Sequence, residues 1–214
     1  MSSRAAARPL GMGELVITTF MTLDGVMQAP GGSDEDREGG FEHGGWQAPV
    51  SDPASGERML EEFQTWDAYL LGRRTYDIFA GFWPKQEDDP FTRLVNGLPR
   101  YVASRTLTTS DWPGTTILSG DLAEEIAGVK ERHERIGLWG SADLVQSLLR
   151  EELVDRLDLW VYPLLLGTGK RIFADGTVPA AFRLTEATPF ELGAVHLVYE
   201  RAGLPTYGEM GPET

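Results

Sequence analysis

The sequence predicts an α/β fold in which helices cover a mostly parallel central sheet that carries an antiparallel hairpin at its C-terminal edge. Short β-branched and apolar runs alternate with helical segments as far as residue 166. Strands separated by helices favour parallel pairing, because the chain crosses back over the sheet between them. Two further strand-like runs, 182–187 and 194–200, follow each other without a helix and predict the hairpin.

The first half of the chain contains three predicted strands and two predicted helices. Leu15–Phe20 is a β-branched apolar run that ends before the Asp24-Gly25 turn. Met59 and Phe63 are four residues apart, the spacing of the apolar face of a helix. The predicted strands are 15–20, 68–71 and 100–103, and the predicted helices are 53–66 and 75–80.

The second half begins with a strand at 115–118. Asp121 predicts the start of a helix over 121–132, because Asp is a favoured N-cap and Glu124 follows three residues later. A strand at 136–139 leads to a helix capped by Ser141, whose Leu144, Val145, Leu148 and Leu149 form one apolar face. A long strand at 156–166 precedes the terminal pair.

The chain is predicted to form one domain over residues 13–201, with a disordered leader at 1–12 and a flexible tail at 202–214. Met1–Arg8 lacks the apolar segment of a secretory signal. No apolar run approaches the roughly 18–20 residues that a membrane helix needs. We therefore expect a soluble, cytoplasmic protein.

Composition excludes several classes of function. Acidic residues number 33 and basic residues 19, so the net charge of −14 disfavours nucleic-acid and anionic-membrane partners. The absence of cysteine excludes disulfides, thiol catalysis, cysteine-ligated metals and a zinc deaminase half. The three histidines are widely spaced, so a metal site is not expected.

Two junctions between a predicted strand and a predicted helix carry the strongest functional signal. Gly72–Thr75 reads Gly-Arg-Arg-Thr, and Gly140–Asp143 reads Gly-Ser-Ala-Asp. Free backbone N–H groups and the positive end of the helix dipole suit such a junction to an anion. Two of them indicate a ligand with several phosphates, such as a dinucleotide. The alternatives are ordinary turns with exposed arginines and, at Ser141, a simple helix cap.

Other segments carry weaker signals. Asp24-Gly25 is primarily a turn signal, and Gly-Thr-Gly-Lys-Arg at 167–171 indicates a tight turn at a strand end. Ser104 and Arg105 follow a strand at the sheet edge where open α/β sheets bind ligands, so Arg105 could pair with a phosphate. The acidic run 34–38 is interpreted as a solvated loop face. The long loop 28–52, which contains His43 and Trp46, is either functional or disordered.

Taken together and in order, these segments resemble the dihydrofolate reductase-like superfamily. The resemblance spans about residues 13–201 and is closest to the reductase domain of the riboflavin-pathway deaminase–reductase and its stand-alone bacterial relatives. It is carried by Met21-Thr-Leu-Asp-Gly25, Leu71-Gly-Arg-Arg-Thr-Tyr76, Val102-Ala-Ser-Arg105, Leu138-Trp-Gly-Ser-Ala-Asp-Leu144, Leu153-Val-Asp155 and Leu164-Leu-Leu-Gly-Thr-Gly-Lys-Arg171. It implies a three-layer fold that binds NADPH.

The resemblance also implies which positions contact the cofactor. The segment at 72–75 would bind phosphates, 104–105 would lie by the adenosine 2′-phosphate, 140–144 would wrap the pyrophosphate, and 20–27 would border the nicotinamide. The implied cofactor-binding residues are Phe20, Met27, Gly72, Arg73, Arg74, Thr75, Ser104, Arg105, Trp139, Gly140, Ser141, Ala142, Asp143 and Leu144.

Asp24, Trp46 and Glu57 are the candidate catalytic residues. Asp24 follows the first strand, where its carboxylate would orient the substrate or the nicotinamide, and Trp46 would cover the site from the long loop. Dihydrofolate reductases carry a substrate-binding carboxylate on the first long helix. Glu57, Glu61 and Glu62 are all available on that helix here, and no gap-free alignment selects one.

We therefore expect an NADPH-dependent reductase that transfers hydride to a small polar heterocycle or carbonyl compound. The alternatives are a nucleotide- or flavin-binding protein without turnover, a true dihydrofolate reductase, and a dimerisation module that has lost its ligand. We also expect a homodimer, with Trp160 and Tyr162 at the partner surface.

Overall fold

The computed structural model describes residues 12–210, which form one eight-stranded sheet with helices on both faces. The strand order is β4-β3-β2-β5-β1-β6-β8-β7, with parallel pairing from β4 to β6 and antiparallel pairing among β6, β8 and β7. This arrangement confirms the predicted fold class. The elements are β1 (Glu14–Thr22), α1 (Pro53–Gln64), β2 (Ala68–Gly72), α2 (Arg73–Phe82), α3 (Pro90–Gly97), β3 (Arg100–Ala103), β4 (Thr115–Leu118), α4 (Leu122–Arg132), β5 (Arg135–Trp139), α5 (Ala142–Arg150), β6 (Arg156–Tyr162), β7 (Ala181–Pro189) and β8 (Val195–Gly203).

Two separate apolar clusters pack against the sheet and account for the three layers. One contains Ile126 of α4 and Leu148 of α5, and the other contains Phe63 of α1 and Phe79 of α2. The nine-residue β1, which is buried along most of its length, lies between β5 and β6 in the middle of the sheet. Burial of these side chains, at about 25 cal/mol per Å² of apolar surface, is the main force that stabilises the layers.

Some element boundaries differ from the predicted ones. The strand predicted over 156–166 ends at Tyr162, because Pro163 has no N–H group to donate to a neighbouring strand. Helix α3 was missed, although Asp89 caps it and Pro90 occupies its first position. Strand β8 continues to Gly203, two residues into the predicted tail. The predicted leader lies outside the described residues except for Met12.

Trp160 and Tyr162 do not form a partner surface, because both side chains are fully buried within the single chain. They point into the apolar layer beneath α1 as β6 alternates between its two faces. These two residues therefore do not support the predicted homodimer, which stays a prediction. On the opposite face of β6 and β8, the apolar side chains Val161, Val195, Leu197 and Tyr199 are partly buried within the single chain.

His196 stacks on Trp160 in the same layer, with ring centroids 4.4 Å apart and planes inclined by 15°. Neither ring nitrogen has a hydrogen-bond partner among residues 12–210, and the side chain is fully buried. Burial, reinforced by the nearby Arg58, lowers the pKa of His196 to about 4. Between about pH 6.5 and pH 4 the imidazole is therefore mostly neutral in the folded protein, whereas in the unfolded chain it is mostly protonated.

This burial predicts a loss of stability in acid. Because an unfolded histidine has a pKa near 6.5, the unfolded state binds a proton that the folded state does not as the pH falls from about 6.5 to about 4. The free energy of unfolding should fall by about 3 kcal/mol over that range. His196→Phe keeps the stacked ring and should remove this loss, as measured by urea unfolding at several pH values.

Asp158 titrates in an overlapping pH range and has the opposite effect on the free energy of unfolding. The wild-type protein and the variant must therefore be compared at each pH. Burial raises the pKa of Asp158 to about 6, so this group favours the folded state as the pH falls from about 6 to about 4. It is present in both proteins, and the difference between the two pH curves isolates His196. Parallel curves for wild type and His196→Phe would contradict the prediction.

Candidate functional site

A cleft of about 990 Å³ lies at the carboxyl ends of the parallel strands. Its walls include Phe20 of β1, Gly72 of β2, Ala103 of β3 and Trp139 of β5. The first turns of α2 and α5 and the loop segments 27–36 and 169–175 complete it. Open α/β sheets bind ligands at this edge, so the fold places the cleft where a ligand is expected.

The two helices that begin at the cleft differ from the others in how they start. Aspartates cap α1, α3 and α4, where the carboxylates of Asp52, Asp89 and Asp121 accept hydrogen bonds from backbone N–H groups of the first turn. Neither Gly72, before α2, nor Ser141, before α5, provides a side-chain cap. The first N–H groups of a helix have no partner within it, so those of α2 and α5 are left for a ligand.

Ser141 does not cap α5, contrary to the sequence-based interpretation. Its hydroxyl accepts a hydrogen bond from the Gly72 N–H at 2.9 Å and donates one to Thr75 Oγ1 at 2.9 Å. Gly140 and Ser141 both adopt left-handed backbone conformations, with φ of 72° and 60°. This geometry turns the serine side chain towards α2, so a single hydroxyl joins the two junctions.

Five cationic side chains line the cleft, and four of them are paired. Arg73 pairs with Asp77, Arg74 pairs with Glu38 and Asp143, and Lys170 pairs with Asp36 and Glu38. Arg105 is exposed and makes no ion pair with any residue between 12 and 210. Arg105 is therefore the cation of this group that is most available to an anionic ligand; Arg171, which also lines the cleft, pairs with Asp24.

One end of the cleft is apolar and aromatic. Phe20, Phe79 and Trp139 line it together with Ile78 and Met27. The Trp139 ring lies 4.8 Å from the Phe79 ring and 6.0 Å from the Phe20 ring, both at steep angles. Such a rigid floor suits a flat ring, because aromatic side chains offer a large contact area with few rotatable bonds.

The structure brings together all but one of the residues predicted to bind a cofactor. The cleft is lined by Phe20, Met27, Gly72, Arg73, Arg74, Thr75, Arg105, Trp139, Gly140, Ser141, Ala142, Asp143 and Leu144. Ser104 is the exception. Its hydroxyl accepts hydrogen bonds from the N–H groups of Thr106 and Leu107 and so holds the turn that presents Arg105.

The candidate catalytic residues lie elsewhere. Asp24 is not part of the cleft wall: its carboxylate accepts hydrogen bonds from Thr22 Oγ1 at 2.5 Å, from the Gly167 N–H at 2.8 Å and from the Leu166 N–H at 3.3 Å. The hydrogen bond from Thr22, followed by those from the backbone, lowers the pKa of Asp24 to about 2 despite partial desolvation. The geometry supports an anchor for the 164–171 turn, and a catalytic role for Asp24 stays a prediction.

Trp46 and the carboxylates of α1 are also not part of the cleft wall. The Trp46 side chain is buried, donates to the Gln28 carbonyl at 2.8 Å and packs edge-on against Tyr162. Glu57 and Glu61 are exposed, whereas Glu62 is buried and paired with Arg58 and Arg156. None of these three glutamates resembles a free carboxylate in a substrate pocket.

The acidic run 34–38 is a solvated face only in part. Asp34, Arg37 and Glu38 are exposed, whereas Glu35 and Asp36 line the cleft. Glu35 Oε2 accepts hydrogen bonds from the N–H groups of Gly31 at 2.8 Å and Gly32 at 3.2 Å, and burial raises the pKa of this carboxyl group. Gln28, also missed, accepts from the Lys170 N–H and donates to the Asp36 and Glu38 carbonyls. Only the unusual length of loop 28–52 signalled these residues.

The two hydrogen bonds of the Ser141 hydroxyl link the junctions, and so we expect Ser141→Ala to destabilise the protein. The variant leaves the Gly72 N–H without its acceptor, and we expect the free energy of unfolding to fall by about 1–3 kcal/mol. Ser147→Ala is the matched control, because both hydrogen-bond partners of Ser147 Oγ, Asp143 and Arg150, lie within α5. Equal urea midpoints for the two variants would show that the hydrogen bonds of the Ser141 hydroxyl contribute nothing to the free energy of unfolding.

Between residues 12 and 210 no group of three or more His, Asp or Glu side chains is arranged to hold a metal ion. None of the helices in the described part of the chain has the length and apolar character needed to span a membrane.

Comparison with known proteins supports the interpretation of the fold. The chain is 27% identical over 195 residues to the uncharacterized protein YyaP of Bacillus subtilis, covering 88% of this chain and 95% of the relative. A crystal structure of a putative riboflavin biosynthesis protein from Shewanella sp. PV-4 matches with a TM-score of 0.68 and 21% identity, covering 88% of this chain and 99% of that one. Dihydrofolate reductase from Enterococcus faecalis complexed with NADP(H) matches with a TM-score of 0.57 and 14% identity, covering 89% and 97%.

The family assignment rests on a match that spans most of the domain. The model of the RibD C-terminal domain matches residues 14–196, from the start of β1 to the buried His196 of β8. The matched range contains every wall of the cleft. The chain therefore belongs to the RibD C-terminal domain family, a family with a dihydrofolate reductase-like fold.

Proposed function

We propose that this protein is an NADPH-dependent reductase that transfers hydride to a small polar heterocycle or carbonyl compound. The observation that carries the proposal is the pair of uncapped helix N-termini, joined through Ser141, on one cleft with an aromatic floor. Such a cleft offers anion sites and a flat apolar surface together, which is the combination that a dinucleotide requires. The family and the NADP(H) complex of its structural neighbour support the same assignment.

The residues present fit this cofactor. The N–H groups at the starts of α2 and α5 would hold the phosphates. Glycine at 72 and 140 lets the two junctions pack closely, because an added Cβ would lie 3.3 Å from Ser141 Cβ and 3.3 Å from Thr75 Cγ2, respectively. Arg105 would pair with the 2′-phosphate, and Phe20, Met27 and Trp139 would border the nicotinamide. When bound, the reduced nicotinamide supplies the hydride, and the protein supplies position and electrostatics.

Hydride transfer to a C=N or C=O group also requires a proton, and Glu35 is the cleft residue best suited to donate it. Its Oε2 is held by two backbone N–H groups, which fixes the carboxyl group at the wall of the cleft. Its raised pKa, caused by burial, keeps a larger protonated fraction at neutral pH than an exposed glutamate has. The proton would pass to the substrate heteroatom, and solvent would restore it.

The substrate class that the family favours is a riboflavin-pathway aminopyrimidine, as in 5-amino-6-(5-phosphoribosylamino)uracil. Strict dihydrofolate reduction is less favoured, because none of the α1 glutamates is a free carboxylate facing the cleft. Binding of a nucleotide or flavin without turnover remains the alternative. We also propose a cytoplasmic location and a small-molecule substrate as parts of this function.

The deciding experiment is a thermal-shift screen with NADPH, NADP⁺, NADH and flavins, followed by an assay of NADPH oxidation with candidate aminopyrimidines and dihydrofolate. A ligand present at a hundredfold excess over Kd stabilises the folded protein by about 2.7 kcal/mol. Binding with oxidation supports a reductase. Binding of NADPH without oxidation of any candidate would favour a binding protein, and binding of flavins alone would contradict the proposed cofactor.

Arg105 predicts a preference for NADPH over NADH. A charge-assisted pair with the 2′-phosphate contributes about 1.5–3 kcal/mol, which is roughly tenfold or more in affinity. Arg105→Gln should therefore weaken NADPH binding by about that factor and leave NADH binding unchanged, as measured by calorimetry. Arg183→Gln on the edge strand β7 removes the same charge away from the cleft and should change neither. Equal losses for both cofactors in Arg105→Gln would contradict a 2′-phosphate contact.

Glu35 predicts the pH dependence of turnover. Because the protonated carboxyl group is the active form, kcat should fall as the pH rises through its raised pKa. Glu35→Gln cannot donate a proton and should lower kcat by about tenfold or more and flatten this limb, with little change in the Kd for NADPH. An unchanged pH profile in Glu35→Gln would assign the proton transfer to solvent or to another group.

A further inference from the structure

The loop between β1 and α1 reaches across the cleft through a chain of ion pairs. Lys170 Nζ lies 2.6 Å from both Asp36 Oδ2 and Glu38 Oε2. The other Glu38 oxygen, Oε1, lies 3.1 Å from Arg74 Nη2, and Arg74 Nη1 lies 3.7 Å from Asp143. Glu38 thus connects the loop 169–175 on one side of the cleft with the first turn of α2 on the other.

The contact between Glu38 and Arg74 places a carboxylate at an anion site of the cleft. Arg74 lies in the first turn of α2, whose N-terminal N–H groups have no side-chain cap, and its side chain lines the cleft. Hydrogen bonding to Lys170 holds the pKa of Glu38 below its ordinary value, so this carboxylate is ionised at neutral pH. A phosphate oxygen that accepted a hydrogen bond from Arg74 Nη2 would compete with Glu38 Oε1 for this donor.

We propose that Glu38 is an internal competitor for the phosphate site at Arg74, so that a ligand must carry a phosphate at this junction to displace it. The identity of the ligand as NADPH rests on the proposed function, whereas the competition itself concerns any phosphate. Glu38 would then help to select phosphorylated ligands: a phosphate that displaces it gains Arg74, and a ligand without one leaves the ion pair in place.

Displacement requires little rearrangement. The side chains of Arg74 and Glu38 are 65% and 47% exposed, and ion pairs this exposed are weak because water and salt screen them. The Glu38 backbone stays in place, because Gln28 Nε2 donates to its carbonyl at 3.0 Å and to the Asp36 carbonyl at 3.2 Å. Lys170 also retains Asp36 as a partner. Only the Glu38 side chain needs to rotate away.

The test measures the affinity of inorganic pyrophosphate, and then of NADPH, for wild type and two variants by calorimetry. Glu38→Gln frees Arg74 from its competing carboxylate and should lower the Kd for both probes by about two- to fivefold, which corresponds to the strength of one exposed ion pair. Asp34→Asn is the matched control. It removes the same charge from the same loop, but Asp34 pairs only with the exposed Arg37. We expect its Kd to change less than twofold.

Repeating the Glu38→Gln substitution in an Arg74→Gln protein separates competition at Arg74 from a general change in charge. In Arg74→Gln, adding Glu38→Gln should no longer tighten pyrophosphate, because the contested cation is absent. Tightening that persists there would overturn the proposal. So would equal effects of Glu38→Gln and Asp34→Asn, weaker binding by Glu38→Gln, or the absence of pyrophosphate binding in wild type and Glu38→Gln alike.

Failure of the competition and failure of the proposed function give different results. If pyrophosphate binds and shows the Arg74-dependent gain in Glu38→Gln but NADPH neither binds nor is oxidised, the competition stands and the cofactor assignment is wrong. If NADPH binds and is oxidised but Glu38→Gln behaves like Asp34→Asn, the reductase assignment stands and the competition is wrong.

Discussion

The hydroxyl group of Ser141 is the interaction on which the cleft depends. It accepts from the N–H of Gly72 at the end of β2 and donates to Thr75 in the first turn of α2, while its own backbone starts α5. Because both β2 and β5 end here, side by side in the sheet, this one hydrogen-bonded group fixes the separation of two helix starts. The left-handed backbone of Gly140 and Ser141 is what directs the hydroxyl sideways, away from its own helix.

Capping is distributed unevenly among the helices, and the distribution follows the position of the cleft. An aspartate cap contributes about 1 kcal/mol to a helix, and α1, α3 and α4 each have one. The helices α2 and α5 forgo that stabilisation and keep their first N–H groups open towards the cleft. The N–H groups of a first turn can either donate to a capping side chain, which stabilises the helix, or stay open to a ligand. Each of these five helices shows one of the two arrangements.

Local patterns in the sequence predicted every named element except α3, and both junctions, because β-branched runs, apolar spacing and glycine act over a few residues. They did not predict contacts made over long separations. Ser141 resembles a cap locally, but its partners are about 65–70 residues away, and Asp24 bonds to a turn more than 140 residues later. The acidic run was misjudged for the same reason, since its partner Lys170 lies in that distant turn.

The central place of β1 has a consequence for the order in which the protein is made. Its neighbours β5 and β6 follow it by about 120 and 140 residues, so β1 leaves the ribosome long before either can pair with it. At roughly 5–20 residues per second, this delay amounts to about 6–28 s. Throughout that time a nine-residue strand that the folded protein buries along most of its length has two unpaired edges. The nascent chain is therefore exposed to edge-to-edge aggregation before the cleft exists.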